Sequence, residues 1–144
     1  MESTRVAVLT GPLRPREDES TPVGDAAGAV VTFLGVVRGE EGGTPIAGLE
    51  YSAYEPMATH VLEHLACETI ERFGVLRVDV EHSRGLVPTG QCSFRLTISG
   101  AHRRETLDTM DWYIERMKQD APIWKRAVAQ TESHAADIAK AIDG

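Results

Sequence analysis

Two lysines in the last third of the chain are the side chains best suited to act on an anionic substrate. The sequence has twelve arginines but only three lysines, and Lys118 and Lys125 lie seven residues apart. On a continuous helix this spacing would put both ammonium groups on one face, but Pro122 interrupts any helix between them. Two ammonium groups that approach each other favour the neutral form of one, which suits a nucleophile or a proton donor. The alternative is a helix end decorated with cations, which the helix dipole favours.

A second group of cations lies at the start of a predicted helix. His102, Arg103 and Arg104 follow an alternating apolar segment and precede a helical pattern. Because a helix N-terminus already carries partial positive charge, two arginines there favour an oxyanion site. The alternative is that Glu105 and Asp108 neutralise both arginines at the surface.

One pattern is that of a zinc site. His60, Glu63 and His64 match the H-x-x-E-H arrangement on a predicted helix. Peptidases with this pattern need a distant acidic ligand, and both histidines border an apolar helix face. We therefore expect no metal at this position.

The composition argues against a protein that binds nucleic acid. A net charge of −7 opposes binding to nucleic acid, so an anion must be held by a local cluster of cations. Trp112, Tyr113 and Trp124 are accordingly expected in the core or in an interface rather than stacked on bases. Cys67 and Cys92 are too few for a disulfide framework, and we expect both to be small core or near-core residues.

The length of 144 residues predicts one domain over residues 1–144. Residues 1–24 are expected to form a variable strand and loop, and residues 128–144 a divergent tail. The apolar runs are too short to span a membrane, and the first residues lack the apolar segment of a secretory signal. The sequence therefore predicts a cytoplasmic protein.

Hydrophobic periodicity predicts two main helices. One runs from Met57 to Phe73 with Gly74 as its C-terminal cap, and the second carries Leu107 to Met117 and ends before Pro122. Residues 131–144 favour a further, alanine-rich helix.

Other segments favour strands. The apolar run over residues 28–38 is nearly continuous, as in a strand covered on both faces, and a mobile loop is expected at 40–45. Shorter segments predict the remaining strands at 5–9, 46–54, 76–80 and 92–99, with loops at 11–24 and 85–90. This order predicts an α+β fold with two helices on a mostly antiparallel sheet.

Several segments of the chain recur in one known family in the same order and spacing. They lie between about residue 25 and residue 127 and comprise residues 28–38, Leu49-Glu50-Tyr51 with Tyr54, Met57-Ala58, Ala101-His102-Arg103, Lys118, and residues 121–126. In this combination the chain resembles the MoaE family, the large subunit of molybdopterin synthase.

The resemblance implies an α/β hammerhead fold and a sulfurtransferase. In that family a central homodimer binds a small ubiquitin-like sulfur carrier of the MoaD type on each side, which gives a heterotetramer. The C-terminal Gly-Gly thiocarboxylate of the carrier enters the active site. Two sulfurs then pass to cyclic pyranopterin monophosphate during biosynthesis of the molybdenum cofactor. The resemblance implies no cofactor and no metal ion held by the subunit itself.

The resemblance also assigns roles to five residues. Lys118 and Lys125 match the catalytic lysines of the family. Lys118 is the better candidate for attack on, or proton transfer at, the carboxyl terminus of the carrier, and Lys125 for binding and polarising it. Arg38, together with His102 and Arg103, would hold phosphate and developing oxyanion charge.

The chain departs from the family pattern at three positions. Ser52 and Ala127 stand where the family usually has glutamate, and Ser83 stands where it usually has arginine. We expect the three to form one partly buried ionic cluster in relatives, lost here as a unit, because losing one member leaves a charge unpaired. Two alternatives stay open: a MoaE-like subunit that binds the carrier with reduced or altered catalysis, and a zinc hydrolase that uses His60 and His64.

Overall fold

The computed structural model of the chain describes residues 3–16 and 24–130. These residues form, in order, β1 (Thr4–Thr10), β2 (Ala29–Val36), β3 (Glu40–Glu41), β4 (Thr44–Ala53), α1 (Met57–Phe73), β5 (Arg77–Pro88), β6 (Cys92–Gly100), α2 (Arg103–Asp120) and β7 (Ile123–Ala129). The helix predicted at 131–144 and part of the loop predicted at 11–24 lie outside the described residues.

The strands form one sheet with β5 at its centre. The order is β2-β6-β5-β4-β3, and β1 joins β5 while β7 joins β4. The pairing of β1 with β5 is parallel, and the other strand pairs of the described residues are antiparallel. The predicted α+β fold, with two helices and a mostly antiparallel sheet, is confirmed.

β5 is longer than the sequence pattern indicated because two strands pair with it in succession. The pairing with β1 ends at Arg84, and the pairing with β4 begins at Gly85, opposite Tyr51. Gly85 has a φ of 81°, a left-handed conformation that glycine adopts without a steric penalty. The loop predicted at residues 85–90 is therefore wrong for its first four residues, which continue the strand.

Both helices bury their apolar faces in one core with β5 and β6. Helix α1 ends as predicted, with Gly74 at a φ of 72° and its N–H donating to the carbonyl of Ile70. Tyr113 of α2 is fully buried, and its hydroxyl donates to the carbonyl of Leu62 in α1 at 2.9 Å. Burial raises the pKa of Tyr113, so the hydroxyl keeps its proton and remains a donor.

Replacing Tyr113 with phenylalanine should lower the free energy of unfolding by about 1 kcal/mol, since it removes a buried hydrogen bond and little volume. Urea unfolding followed by circular dichroism measures the change. Tyr54→Phe is the matched control, because Tyr54 is 60% exposed. Equal stability of both variants would mean that the hydroxyl does not join the two helices.

β2 is an edge strand, and one of its faces is open. It pairs with β6 on one side, and Val30, Phe33, Leu34 and Val36 are each at least 42% exposed. The prediction that both faces of this strand are covered is therefore wrong. The apolar run that suggested a central strand lies at the border of the sheet instead.

The segment after β2 is more ordered than predicted. Residues Glu40–Glu41 form β3, which pairs with the start of β4 through a turn at Gly42 and Gly43. Both glycines have positive φ, at 57° and 84°. The predicted mobile loop at 40–45 is thus a short hairpin.

β7 is a strand that the sequence analysis did not predict. Helix α2 ends with the N–H of Ala121 donating to the carbonyl of Met117, and Pro122 follows. The chain then reverses and runs antiparallel to β4 over Ile123–Ala129. The predicted end of the second helix before Pro122 is confirmed.

A buried ion pair fixes the segment after β1. Arg95 donates to the carboxylate of Glu81 at 2.7 Å and also to the carbonyl of Arg14. Leu13 is buried, and its N–H donates to the carbonyl of Cys92. The backbone of residues 11–14 therefore lies against the sheet.

The two cysteines differ in environment. Cys67 on α1 is exposed, so its predicted place in or near the core is wrong, because it lies on the outer face of the helix. Cys92 is half-buried, and both thiols are free. None of the helices in residues 3–16 and 24–130 is long and apolar enough to cross a membrane.

Candidate active site

A cavity of about 490 Å³ lies where the ends of β2, α2 and β7 meet the middle of the sheet. Its lining is apolar and aromatic on most sides, with three cations and one carboxylate. The lining residues are Phe33, Gly35, Val36, Val37, Arg38, Glu41, Leu49, Tyr51, His82, Ser93, Phe94, Ile114, Met117, Lys118, Ala121, Ile123, Trp124 and Lys125. A concave, mostly apolar space with a few charged groups is typical of small-molecule sites.

Three of the five predicted site residues, Arg38, Lys118 and Lys125, line this cavity. Their side chains come from three separate parts of the fold. None of the three has an ion-pair partner in the part of the chain that the structure describes. Three unpaired cations against the one carboxylate of Glu41 leave the cavity with a net positive charge, which favours an anionic ligand.

The two lysines reach the cavity because the chain reverses after α2. Lys118 lies in the last turn of α2, and Lys125 lies on β7, where it pairs with Tyr51 of β4. The alternative of cations that decorate a helix end describes Lys118 alone, since Lys125 is on a strand. Convergence of the two lysines on one cavity therefore results from strand pairing, as well as from their spacing in sequence.

Arg38 is held beside the cavity by two backbone hydrogen bonds of the preceding residue, Val37. Val37 donates its N–H to the carbonyl of Gln91 at 3.0 Å and accepts from the N–H of Gly90 at 2.8 Å. Gly35 lines the cavity where the backbone approaches β6 closely, because a Cβ there would lie 3.1 Å from Cβ of Phe94. This close contact fixes the path of the chain toward Arg38.

His102 and Arg103 are not among the residues that line the cavity. They mark the start of α2, and Lys118 follows Arg103 by fifteen residues, roughly 22 Å along a helix axis. Nδ1 of His102 lies 3.6 Å from the carboxylate of Glu105. Within the described residues neither Arg103 nor Arg104 has an ion-pair partner, so neutralisation by Glu105 and Asp108 is not observed.

The histidines of the zinc pattern and the three aromatic residues singled out in the sequence have different environments. His60 and His64 are exposed on α1, and the described ranges contain no group of three His, Cys, Asp or Glu side chains that could hold a metal ion. Tyr113 is a core residue, as predicted, and Trp112 is half-buried. Trp124 is 61% exposed and lines the cavity.

Sequence reasoning missed the uncharged polar wall of the cavity. Tyr51, His82, Ser93 and Phe94 line it, and the hydroxyl groups of Tyr51 and Ser93 are 2.9 Å apart. Burial lowers the pKa of His82, and the hydrogen bond to its neighbouring carbonyl opposes this shift in part. The sequence did contain a pattern that could have identified His82. Val78 and Val80 alternate along a strand, and the next residue on the same face is His82.

The three departures from the family pattern do not share one face of the sheet. Ser83 is fully buried, and its hydroxyl donates to the carbonyl of Gly11 at 2.7 Å. Ser52 pairs with Trp124, and Ala127 pairs three residues away on β4. Because side chains alternate along a strand, Ser52 and Ala127 point to opposite faces of the sheet. Ser52 and Ala127 therefore do not share a face in this chain, and the cluster expected in relatives stays a prediction.

The fold and the cavity define a class: a small α+β protein in which three cations without ion-pair partners among the described residues line a mostly apolar pocket. Comparison with known proteins identifies the family within that class. The profile of the family described as MoaE protein matches residues 9–120. The chain belongs to the MoaE family, as the sequence segments indicated.

Relatives of the chain are catalytic subunits of molybdopterin synthase. The chain is 35% identical to the one from Bacillus subtilis (strain 168) over 102 residues, which are 71% of this chain and 65% of that protein. It is 36% identical to the one from Nostoc sp. over 121 residues, which are 83% of this chain and 73% of that protein. The matched part of the chain thus spans about two thirds to three quarters of these relatives.

Solved structures agree with the fold. Molybdopterin synthase from Staphylococcus aureus superposes with a TM-score of 0.78 at 27% identity, covering 90% of this chain and 93% of that one. A protein–protein complex of subunits 1 and 2 of the molybdopterin-converting factor from Helicobacter pylori gives a TM-score of 0.70 at 29% identity, covering 88% and 90%.

Proposed function

We propose that this chain is the catalytic subunit of a molybdopterin synthase and transfers sulfur to cyclic pyranopterin monophosphate. One observation carries the proposal: Arg38, Lys118 and Lys125, without ion-pair partners among the described residues, line a single cavity of about 490 Å³. Both the phosphate of this substrate and the thiocarboxylate of a sulfur carrier are anions. A protein of net charge −7 needs such a local cluster to bind either of them.

The three cations have separate tasks in this proposal. Lys118 acts at the carboxyl terminus of the carrier, as nucleophile or as proton donor. Lys125, on β7 beside Tyr51, binds and polarises the same group. Arg38 binds the phosphate, for which a planar guanidinium is well suited.

The sulfur donor in this proposal is the C-terminal thiocarboxylate of a small ubiquitin-like subunit of the MoaD type. The Helicobacter pylori structure, a complex of two subunits of the molybdopterin-converting factor, supports a two-protein enzyme. Val36 of β2 and Trp124 line the cavity and are 52% and 61% exposed, and exposed apolar side chains of this kind suit a protein partner.

His102 and Arg103 fit the proposal through a second copy of the chain. Within one chain they are too far from Lys118 to touch the same substrate. In the homodimer implied by the family resemblance, the α2 N-terminus of one copy supplies these cations to the cavity of the other. The assembly is then a heterotetramer of two catalytic and two carrier subunits.

A reconstituted assay tests the proposed function. The purified chain is mixed with a thiocarboxylated carrier and cyclic pyranopterin monophosphate, and dithiolene formation is measured. Formation of the dithiolene product supports the proposal. Binding of the carrier without product would favour a subunit that docks the carrier but has altered catalysis. If the chain neither binds the carrier nor forms the product, the proposal is overturned.

Removing the last two glycines of the carrier should weaken its binding by at least about tenfold, since its anionic tail then no longer reaches the three cations. Affinity of the full-length carrier should also fall as salt rises, because salt screens these interactions. Isothermal titration at two salt concentrations measures both effects. The truncated carrier is the control, and its affinity should depend less on salt. Equal affinity of both carriers would contradict a cationic channel.

A further inference from the structure

One wall of the cavity is uncharged and mostly aromatic. We call it the aromatic wall, and it consists of Tyr51, His82, Ser93 and Phe94. The ring of His82 lies between the other two rings, 5.3 Å from Tyr51 at an interplanar angle of 81° and 5.7 Å from Phe94 at 49°. Only 6% of His82 is exposed, so its ring is packed among its neighbours.

The two ring nitrogens of His82 have different roles. Nδ1 lies 2.8 Å from the carbonyl oxygen of Ser83, which can only accept, so Nδ1 carries the proton. Burial lowers the pKa of the ring, which is therefore neutral near pH 7 and holds a lone pair on Nε2. Nε2 has no hydrogen-bond partner among the described residues and is not closed off from the cavity. Nε2 is therefore an unused hydrogen-bond acceptor.

The charged neighbours of His82 do not compete for this acceptor. Glu81 and Arg95 pair with each other, and strand alternation puts them on the opposite face of the sheet from His82 and Phe94. The hydroxyl groups of Tyr51 and Ser93 bond to each other. The aromatic wall thus offers a mostly apolar surface with one free acceptor, whereas Arg38, Lys118 and Lys125 supply the charge of the lining.

We propose that the aromatic wall binds the uncharged ring system of the pterin substrate and that Nε2 of His82 accepts a hydrogen bond from a ring N–H. This inference rests on the proposed function and deepens it, because it separates the cavity into two parts. The wall recognises the heterocycle, and the cations hold the phosphate and the tail of the carrier. His82 is then a residue that determines specificity for the ring.

Two variants of His82 test whether the residue accepts a hydrogen bond from the pterin or only fills space. His82→Met keeps the bulk but removes the acceptor, and His82→Gln keeps an acceptor near the position of Nε2. The measurement is the equilibrium affinity for the pterin, in complex with a carrier that ends in an unreactive carboxylate. We expect His82→Met to bind the pterin about tenfold more weakly, and His82→Gln to stay within about threefold of the wild type. Carrier affinity should not change in either variant.

A pterin that lacks the phosphate tests whether the heterocycle and the phosphate are bound by different residues of the cavity. For a pterin without phosphate, Arg38→Ala should have no effect, whereas the weakening by His82→Met should persist at about tenfold. If the methionine variant binds both pterins as well as the wild type, or if the glutamine variant is as weak as the methionine variant, the inference is overturned. A wild-type complex that binds no pterin at all overturns the proposed function and this inference with it.

A measurement on the wild type covers the case in which His82→Met does not fold. In the ¹⁵N spectrum of histidine-labelled protein, Nε2 of His82 should give the signal of an unprotonated ring nitrogen. That signal should move upfield when the pterin is added, because the lone pair then accepts a hydrogen bond. No movement at saturating pterin would overturn the inference.

Discussion

Lys118→Ala should lower the single-turnover rate of sulfur transfer by at least about a hundredfold, because in the proposed function it removes the group that acts at the reacting carboxyl. The fold should not change, since Lys118 is exposed and has no ion-pair partner in the described part of the chain. Binding of the carrier should remain close to that of the wild type. Rapid-quench measurement of the dithiolene product, with saturating carrier and pterin, gives the rate.

Gln119→Ala is the control for Lys118→Ala, and Lys125→Ala is a comparison variant. Gln119→Ala changes the next exposed residue of the same helix turn, which does not line the cavity, and should react at the wild-type rate. Lys125→Ala should lower both the rate and the affinity for the carrier, because in the proposed function Lys125 binds the tail of the carrier before the reaction begins. A wild-type rate in Lys118→Ala would remove this lysine from the chemical step. Weaker carrier binding with an unchanged rate would make it a docking residue.

The parts of the site that could be predicted are those that local sequence determines. Helix α1 and its cap follow from a 3.6-residue repeat and Gly74, and the end of α2 follows from Pro122. Lys118 and Lys125 were identified because lysine is rare in this chain. Each of these inferences needs only residues that are close together in sequence.

The parts that could not be predicted depend on pairing between distant segments. β7 continues as a strand only because β4 lies beside it, and its own sequence, with Lys125 and Arg126 among apolar residues, has no clear alternation. The aromatic wall combines β4, β5 and β6, so no local pattern joins Tyr51 to His82. The open face of β2 was missed for the same reason, because its apolar run does not reveal that it is at the edge.

Ser83→Arg restores the usual residue of the family and should nevertheless destabilise this chain by about 3–5 kcal/mol. Ser83 is fully buried, and its hydroxyl holds the carbonyl of Gly11 against the sheet. Glu81, two residues earlier, lies on the same face of β5, but its carboxylate is already paired with Arg95 at 2.7 Å. A second buried guanidinium would therefore have no carboxylate of its own. Urea unfolding of the purified variant measures the loss.

Ser83→Ala is the control, and it should cost only about 1 kcal/mol, since it removes the hydrogen bond to Gly11 without adding charge. Adding Ser52→Glu and Ala127→Glu to the arginine variant should not recover the lost stability. The two positions point to opposite faces of the sheet, so their carboxylates cannot both reach a guanidinium at position 83. The effects of the three substitutions should then add. Recovery of most of the loss in the triple variant would show that the strands shift to bring the three charges together, and would contradict the register of β4 and β7.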